Sequence, residues 1–183
     1  RIIGGAWRSR RLAFPAGEDL RPTPDRVRET VFNWLAPHLP GTACLDLFAG
    51  SGAFGFEAMS RGAARAVLVE KRLEVVTALR LNREQLKAEQ ADIVHADAAE
   101  YLRGPAAAFD IVFIDPPYAS GLLGPCIELL DTRGWLKPGA FIYLEAPEGE
   151  APPLPATWQL VRSKTAGQVG YHLARRTQNK ETP

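Results

Sequence analysis

The sequence predicts an α/β fold: a mostly parallel sheet with helices on both faces, closed by an antiparallel hairpin. From residue 43 onward, short apolar runs alternate with stretches of helical periodicity. The runs are apolar throughout rather than alternating, as in strands covered on both faces of a parallel sheet. Near the end, Trp158–Lys164 and Gln168–Ala174 face each other across Thr165-Ala166-Gly167, the pattern of a terminal hairpin.

Residues 1–20 carry apolar pairs separated by Gly-Gly and by an arginine cluster, and read as a basic arm or small β-hairpin preceding a domain of residues 21–183. Arg21-Pro22-Thr23-Pro24 stops the arm. Thr23 is placed to cap the next helix, with Pro24 at its first position. Val27, Val31, Trp34 and Leu35 keep the helical spacing, and Pro37 ends it.

Strands are then expected at Ala43–Phe48, Ala66–Glu70, Ile93–Ala96, Phe109–Asp115 and Phe141–Glu145. Helices are expected between them, at about Ala53–Arg61, Leu73–Ala88, Ala98–Leu102 and Leu122–Leu130. The Pro-rich segment Ala151–Pro155 is a connector.

The first strand runs directly into Gly50-Ser51-Gly52-Ala53-Phe54-Gly55, a GxGxxG pattern at the mouth of a helix. Glycines let a ligand approach the backbone, and open α/β sheets bind ligands at the carboxyl ends of their strands. The pattern alone also fits a dinucleotide enzyme. Glu70 ends the second strand, 20 residues after Gly50, where an acid accepts both ribose hydroxyls. Asp97 ends the third, where it can accept from an adenine amino group.

Asp46 separates the two cofactor types. A dinucleotide site wants bare amides for its pyrophosphate, and a carboxylate beside them repels it. The same carboxylate suits a ligand bearing an ammonium and a sulfonium, as S-adenosyl-L-methionine does. The expected cofactor residues are Asp46, Gly50, Gly52, Glu70 and Asp97, together with their chain neighbours Phe48, Lys71 and Ala98.

Asp115-Pro116-Pro117-Tyr118 closes the fourth strand. Two prolines lack N–H groups and fix φ near −65°, so the loop is stiff and rich in acceptors. Its aspartate and carbonyls suit a flat group with an amino nitrogen, and Tyr118 can stack on that group. A nucleobase or a side-chain amide would serve. These four residues are the expected catalytic set.

At 23% charged and 46% hydrophobic, the composition is that of an ordinary globular protein with a real core. No apolar run approaches a membrane span, and no signal-peptide pattern opens the chain, so a cytoplasmic protein is expected. Cys44 and Cys126 lack metal-type spacing and read as reduced core residues; no metal is expected. The formal charge of +1 hides a segregation: residues 1–28 and 162–183 each carry +4, and the middle carries −7. Two basic termini are suited to a phosphate backbone. Arg8, Arg10 and Arg11 are the first candidates for RNA contact, then Arg175 and Arg176. Arg21, Arg26 and Arg28 are placed either to touch RNA or to cover the cofactor. His38, His95 and His172 read as structural.

Taken together, Leu45–Gly55, Glu70, Asp97 and Asp115–Tyr118 resemble the Rossmann-like class I S-adenosylmethionine-dependent methyltransferases. The flanks narrow this. Arg1–Gly5 with Trp7–Arg10, Arg21–Leu35 and Gly167–Tyr171 resemble the bacterial RsmD family, whose members methylate guanine N2 in 16S ribosomal RNA. The resemblance covers essentially the whole chain. It implies a seven-stranded sheet, a monomer, and S-adenosyl-L-homocysteine as coproduct. It also implies, as partner, 16S rRNA within the 30S subunit or a late assembly intermediate. Pro24 departs from the family pattern, where a small polar residue is expected.

Related Pro-Pro-aromatic loops also serve N6-adenine and glutamine-N5 methyltransferases. A DNA enzyme normally needs a recognition segment for which 183 residues leave little room. A glutamine enzyme has no use for basic arms. An NAD-dependent oxidoreductase conflicts with Asp46, and a silent RNA-binding protein would not need the full cofactor set.

Overall fold

The computed structural model describes residues 1–16 and 23–177. The chain divides into two compact units, Arg1–Ala98 and Ala99–Pro183.

The first unit holds strands β1 (Ala43–Asp46), β2 (Arg65–Glu70) and β3 (Ala91–His95), and helices α1 (Asp25–Leu35), α2 (Ala53–Ser60) and α3 (Leu73–Leu86). The strands lie in the order β3-β2-β1 and run parallel, with Asp46 opposite Leu68 and Glu70 opposite His95. Cys44, Leu45, Ala66, Leu68 and Val69 are fully buried, as the apolar runs predicted.

Helix α1 buries Val27, Val31, Phe32 and Leu35 at the expected spacing. It starts one residue later than expected. Pro24 is itself the cap, with ψ 145°, and no side chain caps the helix. Asp25 in the first turn favours the helix dipole instead. Pro37 lies in a 3₁₀ turn, Ala36–His38, that continues from α1.

No strand forms within residues 1–16, so the expected hairpin is absent from the described part of the arm; residues 17–20 lie outside it. The arm is a series of turns. Ile2 N–H donates to Arg10 O at 2.8 Å and Ser9 N–H to Ile2 O at 2.8 Å. Ser9 sits at φ 68°.

The second unit holds β4 (Phe109–Ile114), β5 (Leu136–Pro147), β6 (Trp158–Ala166) and β7 (Val169–Arg176), with α5 (Leu123–Thr132). Helix α4 (Ala98–Arg103) starts at the boundary. The order is β4-β5-β7-β6; β4 and β5 are parallel, and β7 pairs antiparallel with both β5 and β6. Trp135 anchors this core. Its ring stacks on Phe109 with centroids 6.3 Å apart, and its indole N–H donates to Leu102 O at 2.9 Å.

The seven strands make the mostly parallel sheet with an antiparallel C-terminal hairpin that the sequence predicted. Cys44 and Cys126 are buried free thiols. Among the described residues, no helix is long and apolar enough to cross a membrane.

Candidate active site

Strand β1 ends at Asp46, and the glycine loop follows. The loop is tied to the next strand by Ala49 N–H, which donates to Val69 O at 3.0 Å. Gly52 has φ 81°, and a Cβ there would lie 2.5 Å from the Phe56 ring. A side chain is excluded on both counts, and the turn into α2 stays tight.

Asp46 is 2% exposed beneath this loop. Its Oδ2 accepts from Gly55 N–H at 3.0 Å. Burial pushes its carboxyl up to about 7; the Gly55 and Phe48 N–H groups oppose this, and the Glu70 charge adds to it. Burial in this state disfavours the charged form, and a nearby cation would favour it. Phe48, whose backbone serves Asp46, is half-buried.

Glu70, 8% exposed, is engaged more fully than the sequence indicated. Its Oε2 accepts from Gly50 N–H at 3.1 Å, so it braces the glycine loop. Its Oε1 accepts from Arg72 N–H at 3.2 Å and Arg72 Nε at 3.1 Å. Each carboxylate oxygen has two lone pairs, so these three bonds fill Oε1 and leave one acceptor site, on Oε2, rather than the two that both ribose hydroxyls would take. Lys71 is exposed, and its carbonyl lies 2.9 Å from His95 Nε2. Asp97 follows β3 half-buried, and Ala98 is buried at the start of α4. The loop and its acids lie together in the first unit.

In the second unit, β4 gives way to Asp115-Pro116-Pro117. Asp115 is half-buried, Pro116 buried and Pro117 exposed. Pro117 has φ −55° and ψ 131° and leads into a 3₁₀ turn, Tyr118–Ser120. Ser120 N–H and hydroxyl donate to Pro117 O at 3.0 and 2.6 Å. That carbonyl is occupied within the turn. The stacking role expected of Tyr118 concerns a side chain outside those described.

Glu57 on α2 was not singled out by its sequence context, yet its carboxylate is fully buried. Oε1 accepts from Ile3 N–H at 2.8 Å and Arg28 Nη1 at 3.3 Å. Oε2 accepts from Gly4 N–H at 3.0 Å and Arg61 Nε at 3.0 Å. Ser60, one turn on, donates to Gly4 O at 2.6 Å and accepts from Trp7 N–H at 2.9 Å. The arm is thus sewn to the helix that leaves the glycine loop. Its far end is held by the Asn82 side chain, which accepts from Ala13 N–H at 2.7 Å and donates to Ala13 O at 2.9 Å. A helical Glu57 four residues before Arg61 was the only sequence hint.

The arginines separate accordingly. Arg8, Arg10 and Arg11 are exposed on the arm, with Arg10 Nη2 bonding Gln85 O at 2.9 Å. Arg28, expected to touch RNA or cover the cofactor, is 4% exposed and donates to Glu57, Asp25 and Arg1 O. Arg175 lies over the Phe141 ring and donates to Gly139 O at 3.1 Å. Arg176 Nη1 donates to Leu136 O at 3.1 Å. Arg21 lies outside the described residues. No group of three or more metal-ligating side chains occurs among the described residues.

The family described as Conserved hypothetical protein 95 matches residues 1–175. The chain is 49% identical over 183 residues to Ribosomal RNA small subunit methyltransferase D of Escherichia coli K12, covering 100% of this chain and 92% of that protein. This chain belongs to the RsmD family. The Haemophilus influenzae protein of the same name is 44% identical over 94% of this chain and 92% of its own. Among solved structures, Escherichia coli yhhF superposes with a TM-score of 0.91 at 47% identity, covering 98% of each chain. HI0767 of Haemophilus influenzae follows at 0.85 and 40%, covering 97% of this chain and 98% of its own.

Proposed function

We propose that this RsmD-family chain transfers a methyl group from S-adenosyl-L-methionine to the exocyclic N2 amine of a guanine in 16S rRNA of the small subunit. The observation that carries the cofactor is Asp46. A carboxylate held at about 7 by burial, directly under a glycine loop, is a poor neighbour for pyrophosphate and a good one for a cation. The RNA substrate rests on relatives named ribosomal RNA small subunit methyltransferase D, supported by the exposed arginines of the arm.

Bound at the strand ends of the first unit, S-adenosyl-L-methionine supplies an electrophilic methyl group. Asp46 would hold its cationic end, Glu70 its ribose, and Asp97 its adenine amine. The chain's own task is to fix the acceptor. A guanine N2 amine is a weak nucleophile because its lone pair is delocalised into the ring. Asp115 and the Pro116 carbonyl accept its two N–H groups, turn the lone pair outward, and stabilise the positive charge that grows on nitrogen. Transfer would release S-adenosyl-L-homocysteine as the neutral thioether, and the extra proton on nitrogen would then pass to solvent. The target base must first leave its stack, at a cost of a few kcal/mol that is smallest in a loop.

The test is incubation with labelled S-adenosyl-L-methionine and unmodified 30S subunits, followed by nucleoside analysis. Label in N2-methylguanosine is the expected result. Label in N6-methyladenosine or in protein would overturn the assignment.

A further inference from the structure

We propose that Glu145 is the residue that selects guanine, by accepting its N1–H beside the amine that Asp115 holds. The inference rests on the reading of the Asp115–Tyr118 loop as a guanine acceptor site, and it names the recognition chemistry of that site.

Strands β4 and β5 are parallel and in register at Phe113–Tyr143 and Ile114–Leu144. Beyond that pair β4 ends, because the two prolines of the loop have no N–H with which to continue a ladder. Strand β5 continues, paired on its other side with β7 from Glu145–Tyr171 to Pro147–Val169. Glu145 is therefore the first β5 residue past the shared ladder, and Asp115 is its counterpart on the β4 side. Side chains alternate along a strand, so Asp115 and Glu145 lie on the sheet face that carries Phe113 and Tyr143. Neighbouring strands are about 4.8 Å apart, close enough for side chains from both to converge on adjacent donors of one base edge.

The Glu145 side chain is held in place. Tyr143 is fully buried, and its hydroxyl donates to Glu145 Oε1 at 2.6 Å. A buried phenol needs an acceptor, and this one also fixes the rotamer of a half-buried carboxylate. A carboxylate has about four acceptor sites, and the Tyr143 bond sets the direction in which this one faces.

The chemistry then distinguishes the bases. The Watson–Crick edge of guanine presents N1–H and the N2 amine side by side, both donors. Acceptors at Asp115 and Glu145 match that order. Adenine presents an acceptor, N1, beside its amine, and a carboxylate opposite N1 would repel it. A carboxylate at 145 thus rejects a base whose amine alone would satisfy the loop.

The test uses 30S subunits assembled on 16S RNA that carries guanine or 2-aminopurine at the position to which the labelled methyl maps. 2-Aminopurine keeps the N2 amine but has no N1–H. The wild-type protein is expected to favour guanine in kcat/KM by at least about tenfold. Glu145→Gln places an amide N–H where the carboxylate oxygen stood, keeps an acceptor for Tyr143, and should shrink the preference to within about threefold. Glu145→Asp should lower kcat/KM on guanine and keep the preference, since the charge remains. S-Adenosylhomocysteine affinity should change by less than about twofold in both variants, which separates recognition from loss of fold. An unchanged guanine preference in Glu145→Gln overturns the Glu145 role alone. A wild-type protein that leaves guanine N2 unmethylated removes the acceptor-site reading and the Glu145 role together.

Discussion

Replacing Asp46 with Asn should stabilise the protein without ligand, and by an amount that grows with pH. The ordinary carboxyl pKa is 3.8, and burial raises the folded value to about 7. Below about pH 4 the group is protonated in both folded and unfolded chains and costs nothing. As pH rises, the unfolded chain releases the proton while the folded chain keeps it. Stability therefore falls across pH 4 to 7, and the full penalty persists above. Roughly three pK units at about 1.4 kcal/mol each give about 4 kcal/mol at pH 8, and about 2 kcal/mol at pH 5.5.

Asn does not titrate, and its carbonyl oxygen can keep the bond from Gly55 N–H. The stability difference between variant and wild type should thus widen by about 2 kcal/mol between pH 5.5 and 8. Urea unfolding of both proteins at several pH values measures it, and carboxylates that do not interact with Asp46, as Glu70 does, cancel in the difference. A difference that stays flat would show that Asp46 carries an ordinary pKa, and the electrostatic case for a cationic cofactor would fall with it. In the opposite sense, the affinity of wild-type protein for S-adenosyl-L-methionine should weaken as pH drops below 7, because the ligand needs the ionised form.

Three further outcomes are expected. Glu57→Ala leaves two arginines and two backbone N–H groups without their buried acceptor; thermal unfolding should show a loss of about 3–5 kcal/mol, and a loss below 1 would mean the arm is not held as described. Gly52→Ala meets both a positive φ and the Phe56 ring; calorimetry should find S-adenosylhomocysteine binding at least about tenfold weaker, and undiminished affinity would show that the loop is not at the cofactor. Arg8→Glu with Arg11→Glu should raise the apparent KM for 30S subunits and flatten its dependence on log salt by about two, leaving kcat alone; an unchanged salt slope removes the arm from the RNA interface.

The elements that hold the candidate site were legible because each carries its own signal. Buried parallel strands read as apolar runs, and Gly50 to Gly55 marks the turn where β1 meets α2. Strand-end acids were visible for the same reason, since Asp46 and Glu70 stand at the ends of those runs. Partners distant in sequence were not visible. Glu70 accepts from the N–H of Gly50, 20 residues away, and nothing in its immediate neighbours shows this.

The arm misled for a related reason. Ile2-Ile3 before Gly-Gly looks like a strand, but the Ile3 and Gly4 N–H groups go to the Glu57 carboxylate rather than to a ladder. Arg28 looked like a surface cation because periodicity assigns faces from apolar residues. Its guanidinium is buried beside an acid 29 residues away.

The central claim is that carboxylates at the first three strand ends bind an S-adenosyl cofactor. Titration calorimetry of the intact chain with S-adenosylhomocysteine and, separately, with a nicotinamide dinucleotide tests it most directly. One-site uptake of the first and none of the second is the predicted result. Tight uptake of the dinucleotide with no heat from S-adenosylhomocysteine would contradict it.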